Sequence, residues 1–339
     1  MHMSDALLSP AVGGAAWAAT AALAALSARR VERDLPERSV PLMGVTGAFV
    51  FAAQMVNFAI PGTGSSGHLG GGLLLAILLG PHAALLTVFP VLAVQALFFA
   101  DGGLLALGAN TLNIGAIPAF VAYPLVYRPL AGRAAPGSRR ATVAAVAAAV
   151  VGLELGALAV ALETSASGVT SLPLRAFLAA LLPIHLPIAV VEGLVTAAVV
   201  GFLARREPGL LEGAPAGSPA PPVARPRVLL ALFAAALAIG GVLSWAASER
   251  PDGLEWSIER ASRGAEESAS RVHAALSRAQ ERLAVLPDYA FRGGDGASEA
   301  RRRAGTSAAG ILGGVLTLAV VLGVGLALRR FRPGARRGT

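Results

Sequence analysis

The run from Leu69 to Ala100, LGGGLLLAILLGPHAALLTVFPVLAVQALFFA, decides how the whole chain is threaded. A membrane-crossing helix needs about 20 apolar residues, so this run is too long for one helix. Gly80-Pro81 interrupts it. Proline disfavours helical geometry in the residue before it and removes a rung of the helical ladder. The reading is therefore a short helix over about 69–80 and a second, running back, over 83–100. The next arginine-rich segment, RPLAGRAAPGSRR at 128–140, tests the choice. Counted as one span, the run would put that cluster outside the membrane. Counted as two, it puts every short arginine cluster on one face, the cytoplasmic one by the positive-inside rule.

Composition agrees with a membrane protein. The 339 residues are 55% hydrophobic and 14% charged, with a mean hydropathy of +0.65. Globular chains carry about 25% charge. No cysteine is present, which excludes disulfides and thiolate metal sites. The net charge is +8, and every basic residue is arginine. Without lysine there is no P-loop GK[ST], so any ATP that drives this protein is hydrolysed by another chain. The positive charge sits in short clusters beside apolar segments. That is a topology signal, not a nucleic-acid footprint.

Working outward from the decisive run gives an all-α polytopic protein. Residues 11–28 span first, followed by Arg29, Arg30, Arg33 and Arg38. A secretory signal carries its positive charge before the apolar run, not after it, so this segment reads as a retained helix with its N-terminus outside. Residues 40–60 return, carrying Gln54 and Asn57. After the two helices of 69–100, Asp101-Gly102-Gly103 is an exterior turn. Residues 104–127 and 141–162 follow, the latter with Glu154 inside the span. The stretch 172–204, interrupted by Pro183 and Pro187, completes a seven-helix core module over 1–206. Residues 207–227 form a cytoplasmic Pro/Ala/Gly linker with too little apolar surface to pack. A two-helix accessory module over 228–330 closes the chain, with spans at 228–247 and 308–328. A basic cytoplasmic tail covers 331–339. The whole is a multi-pass protein of the plasma membrane with its C-terminus in the cytoplasm.

The exterior loop 248–307 carries its own pattern. Pro251-Asp252-Gly253 reads as a tight turn. From Leu254 through Ile258, Ala261, Val272 and Leu276 to Leu283, apolar residues recur at spacings of three and four, one helical stripe stopped by Pro287. His273 lies beside the stripe and reads as solvated.

Two histidines come out on the exterior face. Around His2, the α-amine of Met1, the backbone amide nitrogen of residue 2 and the imidazole can close two fused chelate rings about one ion. Such a planar nitrogen set favours Ni(II) or Cu(II). Taken alone, a histidine this near a terminus more often belongs to a disordered tail. The loop Pro61-Gly62-Thr63-Gly64-Ser65-Ser66-Gly67-His68-Leu69-Gly70-Gly71-Gly72 brings His68 to the same face as a fourth nitrogen. Its G-x-G-x-x-G spacing follows a membrane span instead of a strand, which excludes dinucleotide binding. Within the membrane, His82, Glu154, His185 and Glu192 are costly polar groups that face a bundle interior. His185 and Glu192, seven apart, are either a relay for ions or protons or a pair of packing contacts. Asp101, Asn110 and Asn113 read as helix-end and interhelical contacts, and Arg175 as a snorkelling side chain.

Several of these residues carry a resemblance. Met1-His2 with Leu8-Ser9-Pro10, Asn57-Phe58 with Ile60-Pro61-Gly62 leading to Ser66 through Gly72, Ala100 through Leu104 with Gly108-Ala109-Asn110 and Asn113, and Val191-Glu192-Gly193-Leu194 together resemble one family. It is the substrate-capture membrane subunit of cobalt and nickel energy-coupling-factor transporters (CbiM/NikM type), and the resemblance covers about residues 1–205. Residues 228–330 resemble that family's two-span NikN-like accessory component through Pro251-Asp252-Gly253-Leu254-Glu255, so the chain looks like a fusion of the two. The resemblance implies that Met1, His2 and His68 hold Ni2+ or Co2+ as transported substrate. It also implies partners: a membrane coupling subunit and a pair of cytoplasmic ATPases. The chain itself would be no enzyme. A proton-coupled metal carrier or a membrane metalloenzyme built on His185 and Glu192 is the other reading of the residues.

Overall fold

The computed structural model describes residues 2–34, 39–206, 226–262, 270–293 and 298–330. Met1, the tail 331–339 and all but the end of the expected linker lie outside the described residues. Among the described residues the regular structure is helical, apart from a two-residue hairpin pairing Phe58–Ala59 with Ser66–Gly67 and a single bridge from Ser66 to Asp252.

The break in the decisive run falls where the sequence put it. A short helix Gly72–Leu79 ends at Gly80, and a new helix starts with Pro81 in its first turn, where a missing N–H costs nothing. Gly80 has φ 80° and ψ 161°, a backbone region essentially reserved for glycine. The second helix continues through a wider turn at Gln95–Phe99. The two helices share a core of Leu74, Leu78, Ala84 and Val88 with Val50 and Phe51.

Among the described residues, seven helices are long and apolar enough to cross a membrane: Pro10–Arg33, Pro81–Phe99, Leu107–Ala131, Arg139–Ser167, Leu174–Arg206, Pro226–Ala246 and Glu299–Leu328. The expected spans at 40–60 and 69–80 are shorter than a crossing. Their helices are Ser39–Gln54, of 16 residues, and Gly72–Leu79, of 8. The chain between them, 55–71, leaves the helical path and folds into the bundle as the hairpin and glycine-rich loop. The expected loop at 61–72, with six glycines in twelve residues, resists helix, and it takes in residues of both neighbouring apolar segments.

The last two long helices are not a separate body. Leu232, Leu286 and Ala309 share one apolar core with Phe51, Leu73 and Phe99, and Ala236 packs with Ala48 and Ala52 of the second helix. The segment between them departs from the expected single stripe. It forms two helices, Gly253–Ala261 and Arg271–Leu283, with 263–269 outside the described residues. Asp252 is the N-cap of the first, and its side chain accepts from the amides of Leu254 and Glu255 while Glu255 reaches back to the Asp252 amide. The proline-aspartate-glycine string is thus a helix start with a complete capping box.

His273 is buried, where the sequence suggests a solvated side chain. It is 8% exposed, and its Nε2 donates to the carbonyl of Leu8 at 2.8 Å. The second helix of the segment lies on the chain's N-terminal stretch, which buries the histidine and supplies its partner.

Candidate metal centre

The N-terminal stretch is threaded into the end of the bundle. Met3 and Leu8 are fully buried and Leu7 nearly so, in a cluster with Leu105, Ala109, Phe177 and Leu254. Backbone bonds fix the register. The amide of Met3 donates to Asn110 Oδ1 at 2.8 Å, and the Asn110 side-chain amide returns a bond to the Met3 carbonyl at 3.1 Å. The Met3 carbonyl also accepts from the amide of Gly103 at 2.9 Å. Asp5 accepts from the amide of Ala106 at 3.0 Å. The approach at Gly103 leaves no room for a side chain, since a Cβ there would lie 1.8 Å from Asp5 Oδ1.

This threading delivers His2 to His68. Their rings stack with centroids 4.9 Å apart and planes 28° from parallel. The His2 side chain is 6% exposed and that of His68 is 8%. His2 Nδ1 donates to Asp101 Oδ1 at 2.9 Å, while its Nε2 is buried with no hydrogen-bond partner among the described residues. His68 Nδ1 donates to the carbonyl of Leu69 at 3.1 Å, which leaves the lone pair on Nε2. Burial lowers the His68 pKa to about 3. Its imidazole is therefore neutral across the ordinary pH range, the form that binds a metal ion.

The His68 loop is held from below by Glu192. Its two carboxylate oxygens accept the amides of Gly70 at 2.8 Å and Gly71 at 3.1 Å, and Gln54 donates to the Gly70 carbonyl at 2.8 Å. Glu192 is 1% exposed, so these two bonds satisfy a carboxyl that lipid or protein interior would otherwise penalise. His185 turns to its own helix, donating from Nδ1 to Leu181 at 2.7 Å. Both residues line a cavity of about 20 Å³ together with His68, Asn113 and Asp252. Glu192 acts here as an anchor for the loop.

The second module covers the same loop. The amide of Ser66 donates to the Pro251 carbonyl at 2.8 Å, and the Ser66 hydroxyl donates to Arg250 at 2.8 Å. Trp256 donates to the Thr63 carbonyl at 3.0 Å. Asp252 Oδ2 comes to 3.8 Å from His68 Nε2. Burial alone would raise the Asp252 carboxyl, but neighbouring positive charge and the amide of Glu255 outweigh it and hold the group well below the usual carboxylate range. On the other side, the Tyr289 hydroxyl donates to Asp101 Oδ2. Burial raises the phenol, and the Asp101 charge raises it further, so it stays a neutral donor. Burial would also raise Asp101, yet electrostatic interaction with His2 and the bonds from His2 and Tyr289 outweigh it and hold the carboxyl below the usual carboxylate range.

Of the expected donors, the structure brings His2 and His68 together, and Met1 lies outside the described residues. Asp101 and Asn110, read from sequence as helix-end contacts, instead hold the N-terminal stretch. Asn113 spans to Glu163 at 2.8 Å and approaches the Met3 sulfur at 3.9 Å. Their clustering within thirteen residues of a glycine turn was the available signal. Nothing in the sequence pointed to Tyr289. His82 bonds to Ser27 at 3.1 Å and packs on Phe120, away from this end.

Comparison with known proteins places the chain in a family. Residues 2–210 match the cobalt uptake substrate-specific transmembrane region, and residues 226–330 match the PDGLE domain. A putative fused nickel transport protein NikMN of Archaeoglobus fulgidus is 33% identical over 331 residues, covering 98% of this chain and 99% of the relative. The fused nickel transport protein NikMN of Rhodobacter capsulatus is 38% identical over 234 residues, covering 66% of each. A crystal structure of a truncated transition metal transporter, 32% identical, superposes with a TM-score of 0.53 over 61% of this chain and 99% of its own. The chain belongs to the cobalt-uptake substrate-specific transmembrane family, as a form that carries a PDGLE domain in the same polypeptide.

Proposed function

We propose that this chain is the ion-capturing membrane component of an ATP-driven importer of Ni2+ or Co2+. The ion is held by the amine of Met1, the amide and imidazole nitrogens of His2, and Nε2 of His68. The observation that carries the reading is the burial of a second-position histidine against His68. Burying the polar groups of His2 and Met3 costs several hydrogen bonds' worth of desolvation, and the Asn110, Gly103 and Asp101 contacts offset it at the place where a planar nitrogen set can form. The relatives named as nickel transport proteins support the cargo class. A planar set of nitrogens suits Ni2+ by ligand geometry.

In this reading the site faces the exterior and the arginine-rich helix ends face the cytoplasm of the plasma membrane, with the C-terminus inside. Transport needs partners, a membrane coupling subunit and a pair of cytoplasmic ATPases, since this chain has no lysine and hence no P-loop. The anchoring role of Glu192 disfavours a carrier that moves ions between His185 and Glu192.

Metal content and equilibrium binding of the purified chain test the proposal, with Ni2+ and Co2+ in competition. The expected result is one ion per chain, lost in His2→Ala and in His68→Ala. Retention of full binding by both variants would refute the site, and loss on His185→Ala alone would support the carrier.

A further inference from the structure

Tyr289 lies in the second module, between the Arg271–Leu283 and Glu299–Arg330 helices, yet its side chain ends at the candidate metal centre. Its hydroxyl donates to Oδ2 of Asp101, whose other oxygen accepts from His2 Nδ1. Its ring stacks on Phe99 with centroids 5.0 Å apart and meets Phe51 edge-on at 6.4 Å. The amides of Val285 and Leu286 both donate to the Phe98 carbonyl, at 2.9 and 3.1 Å. The strap that carries Tyr289 is therefore fastened to the residues just before Asp101.

The backbone on both sides of this contact is unusual. Asp288 and Tyr289 have φ of 50° and 57°, and Ala100, immediately before Asp101, has φ of 56°. Non-glycine residues rarely occupy this left-handed region, and where they do the surroundings hold them there, often at functional sites. These three are the non-glycine positive-φ residues among the described residues. All three set the geometry of one hydrogen bond.

The His2 ring supplies the second observation. A chelate that includes the amide of residue 2 closes its outer ring through Nδ1, the atom that Asp101 now holds, while Nε2 is buried with no hydrogen-bond partner among the described residues. Half a turn about the Cβ–Cγ bond, with a shift of the ring along Asp101, exchanges the two edges. Nδ1 moves to the opposite edge, and Nε2 comes to the edge that Asp101 faces. We infer that Asp101, clamped by Tyr289 of the fused module, is the carboxylate that orients His2 in the ion-bound site, so that Tyr289 is a positioning residue for the ion. The inference rests on the proposed role of His2 as a ligand. A ligating imidazole commonly gives its outer N–H to a carboxylate, which fixes the ring and raises its basicity, and removing that partner costs about 10–100-fold in affinity.

The test is Ni2+ binding to the purified full chain, read both as affinity and as the visible ligand-field band. Tyr289→Phe keeps the stacked ring and removes the hydroxyl. It should weaken binding by about tenfold and shift the band, and Asp101→Asn should weaken it by about 10–100-fold. The double variant should bind no more weakly than Asp101→Asn alone, because the hydroxyl acts through the carboxylate. A purely structural role would lower thermal stability and leave affinity and band unchanged, and that result overturns the inference. So does full additivity in the double variant. If Tyr289→Phe does not fold, Asp101→Glu gives the same readout, with an unshifted band counting against the inference. His2→Ala and His68→Ala keep the two readings apart: wild-type binding in these sinks the ligand set, whereas their loss beside wild-type behaviour of Tyr289→Phe sinks the Tyr289 assignment alone.

Discussion

Ser66 and Pro251 join the two modules backbone to backbone, the Ser66 amide donating to the Pro251 carbonyl at 2.8 Å. Ser66 precedes His68 by two residues and Pro251 precedes Asp252 by one, so the junction is also the wall of the site. The serine hydroxyl adds a bond to the Arg250 carbonyl at 2.8 Å, and Ser66 is fully buried. Ser66→Ala leaves that carbonyl without this partner and should cost about 1–3 kcal/mol. The expected outcome is a lower thermal midpoint for the purified chain, restored in part by Ser66→Thr.

Glu192 should show a different signature. Its carboxylate holds two loop amides, whereas a glutamine offers one carbonyl oxygen and an amide that cannot accept. Glu192→Gln should therefore loosen the His68 loop, weakening Ni2+ binding while the helical content of the bundle stays the same. Circular dichroism beside a binding isotherm checks both halves.

Asn110 pins the stretch that carries His2, giving and receiving a bond with Met3. Asn110→Ala should weaken Ni2+ binding by about 10–100-fold, the range seen when groups that orient ligands are removed. Asn110→Asp keeps the acceptor for the Met3 amide and loses the donor, so it should fall between wild type and alanine. Wild-type affinity in Asn110→Ala would show that the stretch is held well enough without it.

The helices were legible in the sequence because apolar length and Gly80-Pro81 act locally. Proline forbids a continuous ladder wherever it falls, and arginine placement then set the order of passes. What escaped depends on distant partners. His273 has a polar helix surface around it in sequence and becomes buried only because residue 8 lies across it. The 40–72 region has enough apolar residues for a crossing, but its glycines release the chain into a loop that Glu192, more than a hundred residues away, holds in place. Asp101 looked like a turn residue for the same reason: its partners are His2 and Tyr289, 99 residues before it and 188 after it. His2 and His68 could be paired from sequence because arginine topology placed both on one face, while Tyr289 carries no such local mark.

The central claim is that the N-terminal amine and His2 act together as one chelating unit. Adding a single residue before Met1 tests it directly, since the extension moves the amine out of the ring while leaving every side chain in the sequence. The measurement is Ni2+ affinity of the extended chain beside that of the original, with the thermal midpoint as a check on folding. The account predicts loss of high-affinity binding in a folded protein. Undiminished binding in the extended chain would contradict it.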